Sequence, residues 1–149
     1  MDAVPFRKKM LVRFAHCDPA GIVFYPRFLE MFNELVEDWF AEALLFSFRD
    51  LHGLGVAGGR KLGIPTVRLE VDFKAPSSIG DVLDAELVVR EIRNTSLTLM
   101  IDLRGDDGRP RVSGRVVLVF LDLETRRPIA VPEALRSRME AFRIVEPEV

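Results

Sequence analysis

Cysteine occurs once in this 149-residue chain, at Cys17, so no intramolecular disulfide can form and a disulfide-stapled secreted scaffold is excluded. A reducing cytoplasm is the expected compartment. Neither charge sign is in excess: 21 lysines and arginines face 23 aspartates and glutamates, a formal charge of −2. The basic stripe that a general nucleic-acid binder needs to displace phosphate counterions is missing. Long apolar runs are missing too. Arg7, Lys8 and Lys9 interrupt the N-terminal segment too early for the ~7–15-residue apolar region of a signal peptide, and nothing approaches the ~18 consecutive apolar residues of a membrane span. No repeat, low-complexity run or linker divides the chain, so one domain over residues 1–149 is expected. A composition that is 48% hydrophobic and 30% charged supplies enough apolar surface to fold around a core.

What is present falls into two hydrophobic periods. From Pro26 to about Phe46, Phe28, Phe32, Leu35, Val36, Trp39, Phe40 and Ala43 recur at helical spacing, with Glu30, Asn33, Glu34, Glu37 and Glu42 mostly between them. This predicts a long amphipathic helix with an aromatic buried face, opened by Pro26, whose missing amide hydrogen costs nothing in a first turn. After a glycine-rich stretch from Gly53 to Gly63 the period becomes two. Val67, Leu69, Val71 and Phe73 alternate with charged residues as in a strand with one covered face. Leu83 to Val89 and Leu97 to Leu103 repeat the pattern. Asp106-Asp107-Gly108 is a hairpin signal, and Arg111 to Leu121 reads as a strand apolar enough to be central. A turn at Glu124–Pro128 then leads to a short helix at Pro132-Glu133-Ala134-Leu135. Hairpin-length connections imply an α+β architecture: a largely antiparallel sheet of about five strands with the long helix across one face.

The segment from His16 to Pro26 joins the first strand to this helix and places Asp18 near the helix entrance. Unpaired amides at a helix N-terminus carry partial positive charge and stabilise a developing oxyanion. An ionised carboxylate beside them can attack an acyl carbon or deprotonate a water that does so, which suits acyl transfer to water. Asp-Pro followed by glycine is equally a common turn, and an aspartate there can be only a cap. On the residues alone both readings stand. Cys17 lacks a positive partner other than the helix end and reads as a small buried filler. A metal site from His16, Cys17, Asp18 and His52 fails because adjacent residues cannot all face one ion and no familiar ligand spacing is present.

The run Phe14-Ala15-His16-Cys17-Asp18-Pro19-Ala20-Gly21-Ile22-Val23-Phe24-Tyr25-Pro26, followed by Phe28 and the acidic aromatic helix, resembles the 4-hydroxybenzoyl-CoA thioesterase family. The resemblance continues through Gly63-Ile64-Pro65, Phe73-Lys74-Ala75-Pro76 and Gly80-Asp81-Val82-Leu83, covering most of residues 6–132. It implies a hotdog fold, in which the sheet wraps the helix and subunits pair edge to edge as a homodimer or homotetramer with active sites at the interface. It further implies hydrolysis of an acyl-CoA without metal or organic cofactor. Asp18 is then the catalytic carboxylate, as nucleophile or general base, and the Tyr25 backbone amide polarises the thioester carbonyl. Gly21 permits close backbone approach, and His16 orients the loop. Similar thioesterases carry a basic cluster for the coenzyme phosphates where this chain has Arg93, Asn94 and Thr95, of which only Arg93 keeps the charge; Arg60, Lys61 and Lys74 could assist. Phe24, Phe28, Phe32 and Trp39 could wall the acyl pocket, and the Asp-Pro-Ala-Gly-Ile-Val form favours an aromatic acyl group over a short aliphatic one. The rivals are a hydratase of the same fold, for which His52 is poorly placed, and a non-catalytic acyl-thioester-binding protein.

Overall fold

A computed structural model describes residues 4–53 and 59–144. Five strands form one sheet: β1 (Phe6–Leu11), β3 (Thr66–Phe73), β4 (Val82–Ile92), β5 (Ser96–Arg104) and β6 (Pro110–Val119), in spatial order β1-β4-β5-β6-β3 with every neighbour antiparallel. A two-stranded ribbon, β2 (Leu62–Gly63) with β7 (Leu121–Asp122), is an addition that the sequence pattern does not announce. The same holds for the short helix α2 (Phe48–Gly53). The short terminal helix, α3 (Glu133–Met139), starts after Pro132 as expected. Of the glycine-rich stretch, residues 54–58 lie outside the described residues.

Helix α1 (Pro26–Trp39) buries Phe28, Met31, Phe32, Leu35, Val36 and Trp39, the i, i+3, i+4, i+7 stripe of an amphipathic helix. It runs on into a π-helical turn, Phe40–Leu44, and stops at Leu45, whose φ of 62° is left-handed. Arg138 closes this end by donating to the Leu44 carbonyl at 2.6 Å while its guanidinium lies over the Phe46 ring. On the sheet, strict alternation puts Leu83, Ala85, Leu87 and Val89 of β4 and Leu97, Leu99, Ile101 and Leu103 of β5 wholly in the core. Each such large aliphatic side chain contributes ~1.5–3 kcal/mol by leaving water.

Register explains how closely helix and sheet approach. One row crosses all five strands on the inner face: Phe6, Leu87, Ile101, Gly114 and Val71. Gly114 is the low point of that row. A Cβ there would collide with the Phe32 ring, so the missing side chain is the space into which the helix inserts its phenylalanine.

Two strand assignments need correction. The central strand is β5, not the one from Arg111 to Leu121; β6 lies one place towards the edge. Its greater apolarity arises because Val117 and Val119 on the outer face are also half-buried. Nor does the strand from Val67 to Phe73 have a covered face in the single chain. As an edge strand it leaves Val67 58%, Leu69 41% and Phe73 50% exposed, with Val71 half-buried.

Candidate active site

Between β1 and α1 the chain folds into a small hairpin that carries the expected site residues. Cys17 pairs with Val23, the Phe24 amide donates to the His16 carbonyl at 2.9 Å, and the Asp18 amide donates to the Ile22 carbonyl at 3.0 Å. At its tip the Gly21 amide donates to the Asp18 carbonyl at 3.0 Å, and the Asp18 Oδ1 atom accepts from the Ala20 amide at 2.8 Å. Gly21 has φ +81° with nothing within 4 Å of a would-be Cβ. Glycine is therefore needed here for backbone conformation, and no neighbour within the described chain makes a close approach that requires it.

The hairpin is braced from behind by residues 74–81, which connect β3 to β4. The Val23 amide donates to the Ser77 carbonyl at 2.9 Å, Ile22 bridges to Ser78, and the Ile79 amide donates to the Gly21 carbonyl at 3.0 Å. Arg111 fastens this segment to β6, with Nη1 on the Pro76 carbonyl at 2.8 Å and 3.7 Å from the Asp81 carboxylate. Asp81 in turn accepts from the Ser78 amide at 2.8 Å. Sequence reading singled out neither Ser77 nor Arg111 as a site residue. Ser77 is 1% exposed, and its hydroxyl finds no partner among the described residues. The only sequence signal for it was its place between Pro76 and the Gly80-Asp81 turn.

Each expected residue can now be placed. Asp18 is half-buried, and its Oδ2 atom makes no hydrogen bond to a described residue. Tyr25 caps α1. At this helix start Pro26 has no amide hydrogen, Arg27 donates to the Phe24 carbonyl and Phe28 to that of Tyr25, while the Tyr25 amide has no acceptor among the described residues. His16 Nδ1 accepts from the Arg13 amide at 2.9 Å. A neutral imidazole bonded in this way carries its proton on Nε2, so it is a donor and not a base. Cys17 donates its thiol to the Arg13 carbonyl at 3.5 Å and packs against the core. Among the described residues no three His, Cys, Asp or Glu side chains are grouped to hold a metal ion.

Aromatic side chains surround the entrance, in a different set from the expected one. Tyr25 stacks edge-on against Phe24 and Phe73, with centroids 5.5 and 5.9 Å apart, and Phe28 approaches Phe73 at 6.1 Å. Phe73, from the edge strand, is an addition. Trp39 is lost from the expected wall, because it lies fully buried against Phe40 and Phe142. Phe32 lines a mainly apolar cavity of about 260 Å³ between α1 and the β3–β6 edge, together with Leu29, Asn33, Val36, Leu69 and Val116.

Arg93, Asn94 and Thr95 form the β4–β5 turn. Arg93 is bonded to Glu91 at 2.9 Å, the Asn94 carbonyl accepts from Val131 and the Thr95 carbonyl from Phe120. Within one chain they do not meet Asp18. The hairpin is braced at the start of β4 and this turn follows its end, 11 residues later, or roughly 35 Å at ~3.3 Å per residue. Arg60 lies 3.9 Å from Asp122, and Lys74 is exposed beside β6.

A model of the thioesterase-like superfamily matches residues 12–139. The chain is 24% identical over 136 residues to a 1,4-dihydroxy-2-naphthoyl-CoA hydrolase of Prochlorococcus marinus subsp. pastoris, covering 91% of this chain and 89% of that one. It superposes with a TM-score of 0.84 on a Staphylococcus aureus protein solved in complex with CoA, at 19% identity, covering 99% and 92% of the two chains. A gentisyl-coenzyme A thioesterase gives a TM-score of 0.77 at 27% identity, covering 88% and 99%. No helix among the described residues is long and apolar enough to cross a membrane. With the family match spanning nearly the whole chain and an antiparallel five-stranded sheet laid against one long helix, the chain belongs to the thioesterase-like superfamily and is a thioester hydrolase of hotdog fold.

Proposed function

We propose that the chain hydrolyses an aromatic acyl-CoA to the carboxylic acid and free coenzyme A. The observation that carries this reading is the pairing, on one short braced hairpin, of a carboxylate with a spare oxygen, Asp18, and a helix-entrance amide with no acceptor, Tyr25. The Tyr25 amide and the dipole of α1 polarise the thioester carbonyl. Asp18 attacks the acyl carbon to form a mixed anhydride that water then opens, or removes a proton from the water that attacks that carbon directly. Gly21 holds the turn that presents Asp18, and His16, fixed by its bond to the Arg13 amide, orients the loop. The coenzyme thiolate leaves and is protonated by solvent.

The acyl preference rests on three supports: the Phe24, Tyr25, Phe28 and Phe73 cluster, the 260 Å³ cavity beside it, and the relatives named for naphthoyl and gentisyl thioesters. That cavity lies just below the ~300–1,000 Å³ of drug-sized ligand sites, which suits a single acyl group and not a whole coenzyme. Arg93, with Asn94 and Thr95 beside it, meets the coenzyme phosphates. Since these residues are far from Asp18 in their own chain, the working enzyme is a homodimer or a homotetramer built from it. The exposed Val67, Leu69 and Phe73 of β3 form the pairing edge, which removes an unpaired strand from each copy. A single reduced cysteine and a coenzyme A substrate fit the cytoplasm.

Thiol release from a panel of acyl-CoAs tests the reading. Benzoyl, hydroxybenzoyl and dihydroxynaphthoyl thioesters should exceed butyryl-CoA in kcat/KM by about 10-fold or more, the scale of a pocket-shape preference. Equal rates would remove the aromatic preference and leave the reaction. Binding without thiol release from any member would leave only an acyl-thioester-binding protein.

A further inference from the structure

Arg111, at the start of β6, meets the loop behind the site hairpin in two ways. Its main-chain carbonyl accepts from the Lys74 and Ala75 amides at 2.8 and 3.2 Å, which attaches the loop to β6 whatever the side chain. The guanidinium does something different: it joins the two ends of residues 76–81, with Nη1 2.8 Å from the Pro76 carbonyl and 3.7 Å from the Asp81 carboxylate. All three links to the hairpin fall between those ends, the Val23 amide on the Ser77 carbonyl, the Ile22–Ser78 bridge and the Ile79 amide on the Gly21 carbonyl. On the hairpin, Gly21, Ile22 and Val23 in turn lie between Asp18 and Tyr25. Room for the guanidinium comes from Gly105 in the β5–β6 turn, which is buried and whose would-be Cβ stands 2.6 Å from Nη2, 2.7 Å from Nε and 2.9 Å from Cζ of Arg111. Unlike Gly108 in the same turn, Gly105 does not take a left-handed φ, so the guanidinium and not the backbone requires glycine here.

We propose that Arg111 is a positioning residue for thioester hydrolysis: by holding loop 76–81 closed behind the hairpin, it fixes the Asp18 carboxylate relative to the Tyr25 amide. The proposal rests on the Asp18 and Tyr25 reading above. A carboxylate and an oxyanion amide serve one acyl carbon only when both are held to within about 0.5 Å, and a displacement of ~1 Å that starts far from the chemistry can cost ~10²-fold in rate. The hairpin tip has little packing of its own, since nothing lies within 4 Å of the Cβ position of Gly21, and its restraint therefore comes from the loop behind. A guanidinium suits that task. Its N–H donors lie in one rigid plane and can face a carbonyl and a carboxylate together through charge-assisted contacts, whereas the compact ammonium of a lysine meets one of the two ends. Gly105, Arg111, loop 76–81 and the hairpin thus form one stack, each member seated on the one before it.

Turnover of hydroxybenzoyl-CoA and amide hydrogen exchange read this role separately. Arg111→Gln should lower kcat about 10-fold or more with KM within about twofold, the pattern of a contact that matters in the transition state and not in substrate binding. In the same variant the Val23 and Ile79 amides should exchange about 10-fold or more faster, while the amides of β5 keep their rates. Arg111→Lys should recover part of both. Gly105→Ala leaves the arginine in the chain and displaces only its tip, so it should reproduce the loss of kcat and, combined with Arg111→Gln, add nothing further. It also carries the test should Arg111→Gln not fold. Unchanged exchange at Val23 and Ile79, or faster exchange with an unchanged kcat, overturns the positioning role and leaves the hydrolase reading intact. A wild type that releases thiol from no thioester overturns that reading and the role in hydrolysis with it, whereas the exchange of Val23 and Ile79 still decides whether Arg111 holds the loop.

Discussion

Replacing Asp18 by asparagine separates a catalytic carboxylate from a structural one. Among the described residues only Oδ1 of Asp18 is used, accepting from the Ala20 amide at 2.8 Å. The two main-chain bonds that close the hairpin, from Gly21 to Asp18 and from Asp18 to Ile22, do not involve the side chain. Asparagine offers an amide oxygen to Ala20, and its NH₂ takes the place of Oδ2, which has no partner among the described residues. The loss of stability should therefore be small, under about 0.5 kcal/mol, whereas Asp18→Ala also deletes the Ala20 bond and should cost about 1 kcal/mol. For a chain of this size 1 kcal/mol moves Tm by about 2–4 °C, so melts resolve the two variants. If Asp18 performs the chemistry, both lose kcat by at least about 10²-fold despite their different stabilities, because an amide is neither a useful nucleophile nor a base. Substrate affinity is kept or rises slightly, since an anion beside the thioester has gone. If Asp18 serves only the turn, activity follows stability, with Asn close to wild type and Ala below it. A folded Asp18→Asn variant with near-normal thiol release refutes the catalytic assignment. One turnover of the wild type in ¹⁸O-labelled water, with enzyme in excess, then tests for the covalent route. Label in the aspartyl carboxylate reports an anhydride opened at the protein carbon, and label in the product acid alone excludes that opening, leaving direct attack by water or an anhydride opened at the acyl carbon.

Gly114→Ala should destabilise the chain by about 1–3 kcal/mol, because its methyl group meets the Phe32 ring. Phe32→Leu made in the same chain should recover part of that loss, a coupling that a double-mutant cycle by chemical denaturation measures. If β3 is the pairing edge proposed above, Leu69→Asp, which places a charge on its exposed apolar side chains, should turn a wild-type dimer or tetramer into a monomer in sedimentation while the circular dichroism of the fold persists; a wild type that sediments as a monomer refutes the pairing. Lys8 donates to both oxygens of Glu42 at 3.0 and 3.1 Å, tying β1 to the π-helical turn. That hydrogen bond, helped by the Asp38 and Glu42 charges and opposed by burial, raises the lysine above its ordinary 10.5. A raised lysine stabilises fully below its unfolded value and loses the contribution as pH climbs through the folded one. The Tm gap between wild type and Lys8→Met should therefore be constant up to about pH 10 and narrow above it, and a gap that widens there contradicts the assignment.

The fold was legible where one physical effect acted alone. Alternation over Leu83–Val89 and Leu97–Leu103 and the stripe from Phe28 to Trp39 each record a face turned to the core, and those elements form as the pattern requires. The pattern was ambiguous where two effects produce the same residues. Val67, Leu69, Val71 and Phe73 read as an inward face, yet in the single chain three of the four are largely exposed, because β3 lies at the edge of the sheet, where alternation alone does not tell a covered face from an open one. Likewise, the apolar run of β6 reflects a half-buried outer face and not the central position. Short elements such as α2 and β2 are held by contacts distant in sequence and leave no period to detect.

The hairpin that carries the candidate site was legible for a different reason. The Asp18 hairpin is local: its bonds run between residues 13 and 25, so its turn glycine, its capping residue and its histidine lie together in the chain as they do in space. Nothing local marks Ser77, which meets the hairpin from 54 residues away, or Arg111, which fastens the segment behind it to β6, and their role appears only once β3, β4 and β6 are laid side by side. The guanidinium groups on the outer face are scattered more widely still. Arg68, Arg93 and Arg115 come from three separate strands, and they become neighbours through sheet register alone. A search along the sequence for a run of basic residues finds at that turn only Arg93 followed by two neutral residues, and so reads a deficit of charge. Laid out in the sheet, the same chain has its positive charges side by side, one of them, Arg115, with no counterion among the described residues. A charge deficit along the sequence can thus be a surplus across the strands, because register, not spacing, decides which side chains become neighbours.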